Sequence, residues 1–266
     1  MKWPWRRGRS VLAAGRRRVP RNRRKPNIPV LLSIFAACVF VSGAVAYALR
    51  TPSLQVKEVD IAGVGICDRA TVESIGRAAL GQNILILRKS PIERRIRSLS
   101  QVERVKMGRS FPNRVWIRIW ERRPDAVLTD GRRWWLMQDD GLVFHSAAGP
   151  PKGVPVLRVE DCGPVKVGRI CESTRVRYAL QVLRCGRDEG LKLGKISVDP
   201  QGDMCLNMGS DFYVRLGQPN EIALKISLLR SALVYKPSIA KEALYIDVSC
   251  PAAPVWRPKR AAQDAS

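Results

Sequence analysis

Twenty-two consecutive residues without a charge, 28–49, constrain this chain more than any other feature. As a helix rising about 1.5 Å per residue they reach roughly 33 Å, enough for a hydrocarbon core of about 30 Å. The run is apolar on every face, so it lacks the polar stripe of a helix packed on a soluble core. A basic lead followed by an apolar run also suits a signal peptide, and Ala46-Tyr47-Ala48 mimics a small-x-small cleavage site. The run is too long for a signal's apolar region, and its lead is longer than such peptides carry. An uncleaved anchor in the lipid bilayer is therefore expected over 28–49.

Charge sets the orientation. Residues 1–27 hold eleven Lys/Arg and no Asp/Glu, out of 47 basic and 23 acidic residues in the whole chain. The remainder keeps 36 basic and 23 acidic residues, or +13 of the total +24. Such an arm buries too little apolar surface to fold and reads as disordered. Lys and Arg are retained on the cytoplasmic side, so the N-terminus is expected inside and the C-terminal bulk in the periplasm or its equivalent. Anionic lipid heads suit the arm as a contact. Arginine clusters also bind nucleic-acid phosphate, but topology and lipid attraction account for the whole arm, and nucleic acid is not expected as a partner.

Seven cysteines follow the same partition. Cys38 falls in the apolar run, and Cys67, Cys162, Cys171, Cys185, Cys205 and Cys250 lie beyond it. An oxidising compartment allows disulfides, and Cys162–Cys171 across a short Gly/Pro-containing loop is the best single candidate; buried free thiols are the alternative. With one histidine and no C-x-x-C, neither a metal nor another cofactor is expected.

Beyond the anchor, 56–61 reads as a strand and 69–80 as a helix capped by Asp68, with Val72, Ile75, Ala79 and Leu80 on one face. Ser90-Pro91-Ile92-Glu93 has the form of a capping box opening a second helix. Strands follow at 102–109 and 114–121. In the first, Val105 and Met107 oppose Arg104 and Lys106; in the second, Val115, Ile117 and Ile119 oppose Trp116, Arg118 and Trp120. The order β-α-α-β-β builds an α+β layer.

The stretch Val102-Glu-Arg-Val-Lys-Met-Gly-Arg-Ser-Phe-Pro-Asn-Arg-Val-Trp-Ile-Arg-Ile-Trp-Glu-Arg-Arg-Pro-Asp-Ala126 resembles the end of a POTRA domain of the FtsQ/DivIB type. The ordered R-x-F-P…E-R-x-P-x-A spacing carries the likeness, with Met107 standing where a β-branched residue is usual. Further on, the hairpin-like Trp134-Trp-Leu-Met-Gln-Asp-Asp-Gly-Leu-Val-Phe-His145 is similar to the hairpin opening that family's second domain. The run Val214-Arg-Leu-Gly217, Lys225-Ile, Leu228-Leu229 and Ile246-Asp247 resembles its ending. The implied fold class is α+β. A transmembrane helix (28–49) follows the basic arm (1–27), then come a POTRA domain (54–123) and a mainly antiparallel β domain with two helices (124–256), ending in a polar tail (257–266).

Within 124–256, helices are expected from Ser173 or Thr174 and over 220–233, and strands at 153–157, 195–198, 203–208, 212–216 and 245–249. The adjacent Asp139 and Asp140 could suggest acid–base chemistry, but side by side in a turn they suit backbone amides better. No nucleophile–base pair or phosphate loop emerges, so neither an enzyme nor a small-molecule substrate is expected. The resemblance implies a non-enzymatic scaffold of the bacterial divisome in the cell inner membrane at the septum. Its implied partners are proteins of the FtsB and FtsL types, with FtsW, FtsI and FtsK types beside them. By matched position, Tyr245, Val248, Ser249, Cys250 and Trp256 are implied to hold the partner, with Tyr245 and Val248 equally suited to the core. Pro251 and Pro254 remove donors, so any strand added by a partner is expected to end its contact near Cys250. An adaptor for envelope assembly or protein translocation is the competing reading.

Overall fold

The computed structural model describes residues 28–209 and 212–259, and the chain divides into two units, Met1–Arg50 and Thr51–Ser266. The arm over 1–27 lies outside the described residues. In the first unit, α1 (Ile28–Arg50) is a continuous helix, and its span Ile28–Ala48 is long and apolar enough to cross a membrane. Its hydroxyls are satisfied within the helix: Ser33 Oγ donates to the Val30 carbonyl at 2.9 Å and Ser42 Oγ to that of Cys38 at 2.7 Å. Hydrocarbon demands such internal satisfaction.

The second unit begins with β1 (Glu58–Ala62), α2 (Arg69–Gly76), α3 (Lys89–Arg97), β2 (Val102–Ser110) and β3 (Arg114–Glu121). Its three strands lie in the order β1-β3-β2, with β1 parallel and β2 antiparallel to β3. The alternation read from the sequence sets the faces. Val105, Met107, Val115, Ile117 and Ile119 are buried with Val72, Ile92 and Ile96 of the helices. Asp68 caps α2, accepting from the amides of Ala70 at 3.2 Å and Thr71 at 3.0 Å.

The expected capping box at 90–93 is not made. The helix starts earlier, with Arg88 at its N-cap and no side-chain cap. The Glu93 carboxylate instead accepts from the Met107 amide at 2.8 Å, fastening α3 to β2. A long-range backbone donor has taken the acceptor that local pairing would have used.

The larger sheet comprises β4 (Ala126–Thr129), β5 (Trp134–Met137), β6 (Leu142–Ala147), β7 (Val156–Val159), β8 (Arg169–Ile170), β9 (Lys195–Val198), β10 (Met204–Asn207), β11 (Tyr213–Gly217), β12 (Ala243–Asp247) and β13 (Val255–Pro258). Their order is β13-β12-β11-β10-β9-β7-β4-β5-β6-β8. Pairing is mostly antiparallel; β4/β7, β7/β9 and β11/β12 are parallel. Helices α4 (Thr174–Asp188) and α5 (Ile222–Tyr235) bury Val176, Leu180, Leu183, Ile226 and Leu229 in its main core, and a short α6 (Ile239–Glu242) precedes β12. Cys162 and Cys171 are both buried in that core with free thiols. Burial pushes the Cys162 thiol up, and Cys171 beside it adds to the shift.

The E-R-x-P-x-A motif sits where the two sheets meet. Glu121 ends β3, and its carboxylate accepts from the amides of Gly65 at 2.9 Å, Ile66 at 2.7 Å and Cys67 at 2.7 Å. The loop so gathered presents Ile66 to Val127, Leu136 and Phe144 on the reverse of the larger sheet. Arg122 donates through Nε to the Ser100 carbonyl at 3.1 Å and through Nη1 to Gln138 Oε1 at 2.5 Å. Asp125 accepts from the Asp139 amide at 3.1 Å, and Ala126 is wholly buried. Arg122→Ala is expected to lower stability by about 1–2 kcal/mol, the scale of two lost hydrogen bonds from a charged group, and to quicken proteolysis near residue 123. Limited proteolysis with mass mapping checks both the site and the rate.

Candidate partner-binding edge

Strand β12 carries Tyr245 of the residues expected to hold a partner, and Val248, Ser249 and Cys250 follow its end. It runs parallel to β11, pairing Tyr213 with Tyr245, Val214 with Ile246 and Arg215 with Asp247. This register puts the two tyrosines side by side, with ring centroids 5.6 Å apart and planes 25° from parallel. The Arg215 guanidinium lies 4.6 Å from the Tyr245 centroid and 5.9 Å from that of Tyr213. Tyr245 is half-buried in this stack. Tyr213 and Arg215 had no signal in the sequence, because parallel register between strands thirty residues apart is not written in either strand.

Val248 is 1% exposed and belongs to the main core. Its amide continues the ladder to the Arg215 carbonyl at 2.9 Å, so it supports the edge from within and offers a partner no surface. Ser249 is exposed and closes the strand: its amide and Oγ donate to Asp247 Oδ1 at 2.9 and 2.6 Å. Cys250, also exposed, opens the next turn, its carbonyl accepting from the Ala253 amide at 3.1 Å.

The turn alters the expected edge. Pro251 and Pro254 lie inside it and return the chain, so the strand expected at 245–249 is not the last one. Residues 255–258 form β13 antiparallel to β12, with Tyr245 opposite Arg257, Ile246 opposite Trp256 and Asp247 opposite Val255. Arg257 and Pro258, read as the start of a polar tail, are strand residues; 260–266 lie outside the described residues. The outermost strand is therefore β13, and all four of its residues are exposed. Trp256 is held by Lys236, whose Nζ stands 4.6 Å from the ring centroid and 2.6 Å from Glu242. That ammonium holds the exposed Glu242 carboxyl below its ordinary range.

The carboxylates at the 138–141 turn have structural tasks. Asp140 accepts from the Leu142 amide at 2.9 Å, and Asp139 pairs with Arg187 at 3.5 Å. Among the described residues, no group of three His, Cys, Asp or Glu is gathered for a metal. What this end of the sheet offers is a short row of unpaired backbone groups beside an indole and a tyrosine–arginine stack, which suits strand addition.

Comparison with known proteins bears on the whole chain. A family described as "POTRA domain, FtsQ-type" matches residues 54–122. The cell division protein FtsQ of Streptomyces bingchenggensis is 26% identical over 246 residues, covering 91% of this chain and 89% of its own length. That of Streptomyces coelicolor is 24% identical, covering 87% and 89%. The Mycobacterium bovis FtsQ is 25% identical over 190 residues, 70% of this chain and 57% of the relative. Over most of its length this chain is thus similar to proteins of one name, the cell division protein FtsQ, and the residues that form its three-stranded sheet match an FtsQ-type POTRA domain.

Proposed function

We propose that this protein is a bitopic scaffold of the divisome, anchored in the inner membrane by α1, with residues 1–27 in the cytoplasm and Thr51 onward in the periplasm. It binds and does not catalyse. Its partners are septal membrane proteins of the FtsB and FtsL types. One such partner adds a strand to the outer edge of β13, with Trp256, Ser249 and the Tyr245 stack flanking it. The observation that carries this reading is the ten-stranded sheet ending in a strand whose four residues are all exposed. Addition there breaks no existing ladder, whereas pairing with β12 would require expelling β13. Pro254 and Pro258 bound the contact, since neither donates an N–H.

Two variants test the edge. Ser249→Glu combined with Trp256→Ala is expected to lose co-purification with FtsB/FtsL-type partners and to fail in supporting division. Truncation after Ala253 removes β13 and is expected to do the same. Retained co-purification in both overturns the β13 site; tighter binding on truncation shows β12 to be the docking strand instead. A fluorescent fusion is expected at mid-cell, and protease added outside spheroplasts is expected to digest residues beyond 50. A uniform envelope signal favours the translocation adaptor.

A further inference from the structure

The outer face of the three-stranded sheet carries a feature that strand addition at β13 does not use. The helices cover one side, and the other presents Arg104, Lys106, Gly108 and Ser110 of β2 against Trp120, Arg118, Trp116 and Arg114 of β3, pair by pair. The Arg104 guanidinium stacks 4.2 Å from the Trp120 centroid, and that of Arg118 lies 5.3 Å from the Trp116 centroid. Trp116 can lie flat because its neighbour is glycine: a Cβ on Gly108 would fall 2.1 Å from the ring carbons.

Between the two indoles, Lys106 stands directly opposite Arg118. Like charges facing across a ladder destabilise a sheet. Among the described residues, Arg104, Lys106 and Arg118 have no carboxylate within ion-pair distance, whereas neighbouring Arg114 is paired with Glu58 at 3.0 Å. The acidic groups of this face, Glu58 and Asp60, belong to β1. Three uncompensated cations are thus gathered on the β2–β3 side, between two partly exposed tryptophans, at a standing cost to the fold.

We infer that this face docks an acidic segment of a partner protein in extended conformation. Alternate residues on a strand lie roughly 7 Å apart, so Arg104 and Lys106 match carboxylates at alternate positions of an extended chain. A guanidinium lying over an indole keeps its edge donors free for bidentate carboxylate recognition. Tryptophan and arginine are also the residue types that dominate protein–protein hot spots. The complement is charge for charge: the segment's acids replace the counter-ions that the fold omits.

The test uses the full chain in detergent and a short fluorescently labelled peptide with glutamate at alternate positions, read by anisotropy. Its glutamine counterpart and inorganic polyphosphate are run beside it. The basic arm is common to every protein compared, so only differences between variants count. Lys106→Glu with Arg118→Glu is expected to weaken the glutamate peptide about tenfold or more and to leave the glutamine peptide unchanged. Trp120→Leu, which removes the stacking platform and keeps every charge, is expected to weaken it severalfold with an unchanged melting temperature. Equal affinity of the wild type and the charge-reversed protein overturns the inference. So does polyphosphate binding that responds to the variants while peptide binding does not, which assigns the face to a phosphate polymer. Neither result touches the β13 edge, which lies on the other sheet.

Discussion

Glu121→Ala is expected to lower the free energy of unfolding by about 3 kcal/mol or more, read by urea denaturation followed through tryptophan fluorescence. Alanine leaves three amides of one loop, Gly65, Ile66 and Cys67, without their acceptor. Each partly buried donor so orphaned costs about 1–3 kcal/mol, and partial access of water to Gly65 holds the sum towards the lower end. Glu121→Gln should fall between, because one oxygen remains while its amide group meets donors. The loss reaches the second sheet, since Ile66 packs there against Phe144. Accordingly, Glu121→Ala is expected to loosen the junction as Arg122→Ala does, with the larger drop in stability.

The same carboxylate sets a pH dependence whose direction follows from its surroundings. Burial pushes the Glu121 carboxyl up, but the amides of Cys67, Gly65 and Ile66 and the Cys67 thiol outweigh it and hold it below the ordinary range. A carboxyl lowered in the native state contributes stability above its unfolded value of about 4.3, and that contribution is lost as pH falls through the lower native value. The gap between wild type and Glu121→Gln should therefore be full at neutral pH and shrink below pH ~4. Burial and the Glu121 charge together push the Cys67 thiol up to about 12. Cys67 should accordingly resist alkylation at pH 8 in the folded protein and react in urea.

What the sequence made legible was local. Alternation along 102–109 and 114–121 separated buried Val105, Met107, Val115, Ile117 and Ile119 from Arg104, Lys106, Trp116, Arg118 and Trp120, because a strand's period is written in the strand itself. Asp68 announced its helix because both donors lie within three residues. Glu93 misled because its acceptor went to Met107, fourteen residues on, and the E-R-x-P-x-A motif was recognisable as a pattern without showing what Glu121 grips fifty-odd residues earlier. The last strand was misplaced for a related reason. Two prolines read as a stop signal, yet a proline inside a turn returns the chain as readily as it ends a strand. Only the fold shows that residues 255–258 come back alongside β12. The lone lysine of the family's ending was likewise visible as a match, with nothing to say that it is buried.

Lys225→Met is the variant expected to separate stability at the partner edge from stability at the junction. Lys225 has no exposed surface, and its Nζ donates to the Gln218 carbonyl at 2.9 Å and to Asn220 Oδ1 at 2.7 Å. It ties down the 217–221 loop leading into α5, whose N-cap Glu221 has left-handed backbone and caps nothing with its side chain. Methionine fills the volume, removes both bonds and relieves the buried charge, so the net loss is expected near 2–3 kcal/mol rather than the 3–5 of a broken buried ion pair. Burial lowers the basicity of Lys225, with Glu221 and Asp203 opposing. A base lowered in the native state favours the fold more as pH rises towards the free-lysine value of about 10.4, so wild type should gain on Lys225→Met across that approach. The loop also backs the edge: a Cβ on Gly217 would fall 2.8 Å from that of Ser249, at the turn from β12 to β13. Lys225→Met should therefore weaken co-purification of an FtsB/FtsL-type partner at a temperature where the variant is still folded. Glu121→Ala, matched to it in residual stability, should retain the partner. Equal retention by both would mean that the partner does not read the β12–β13 turn.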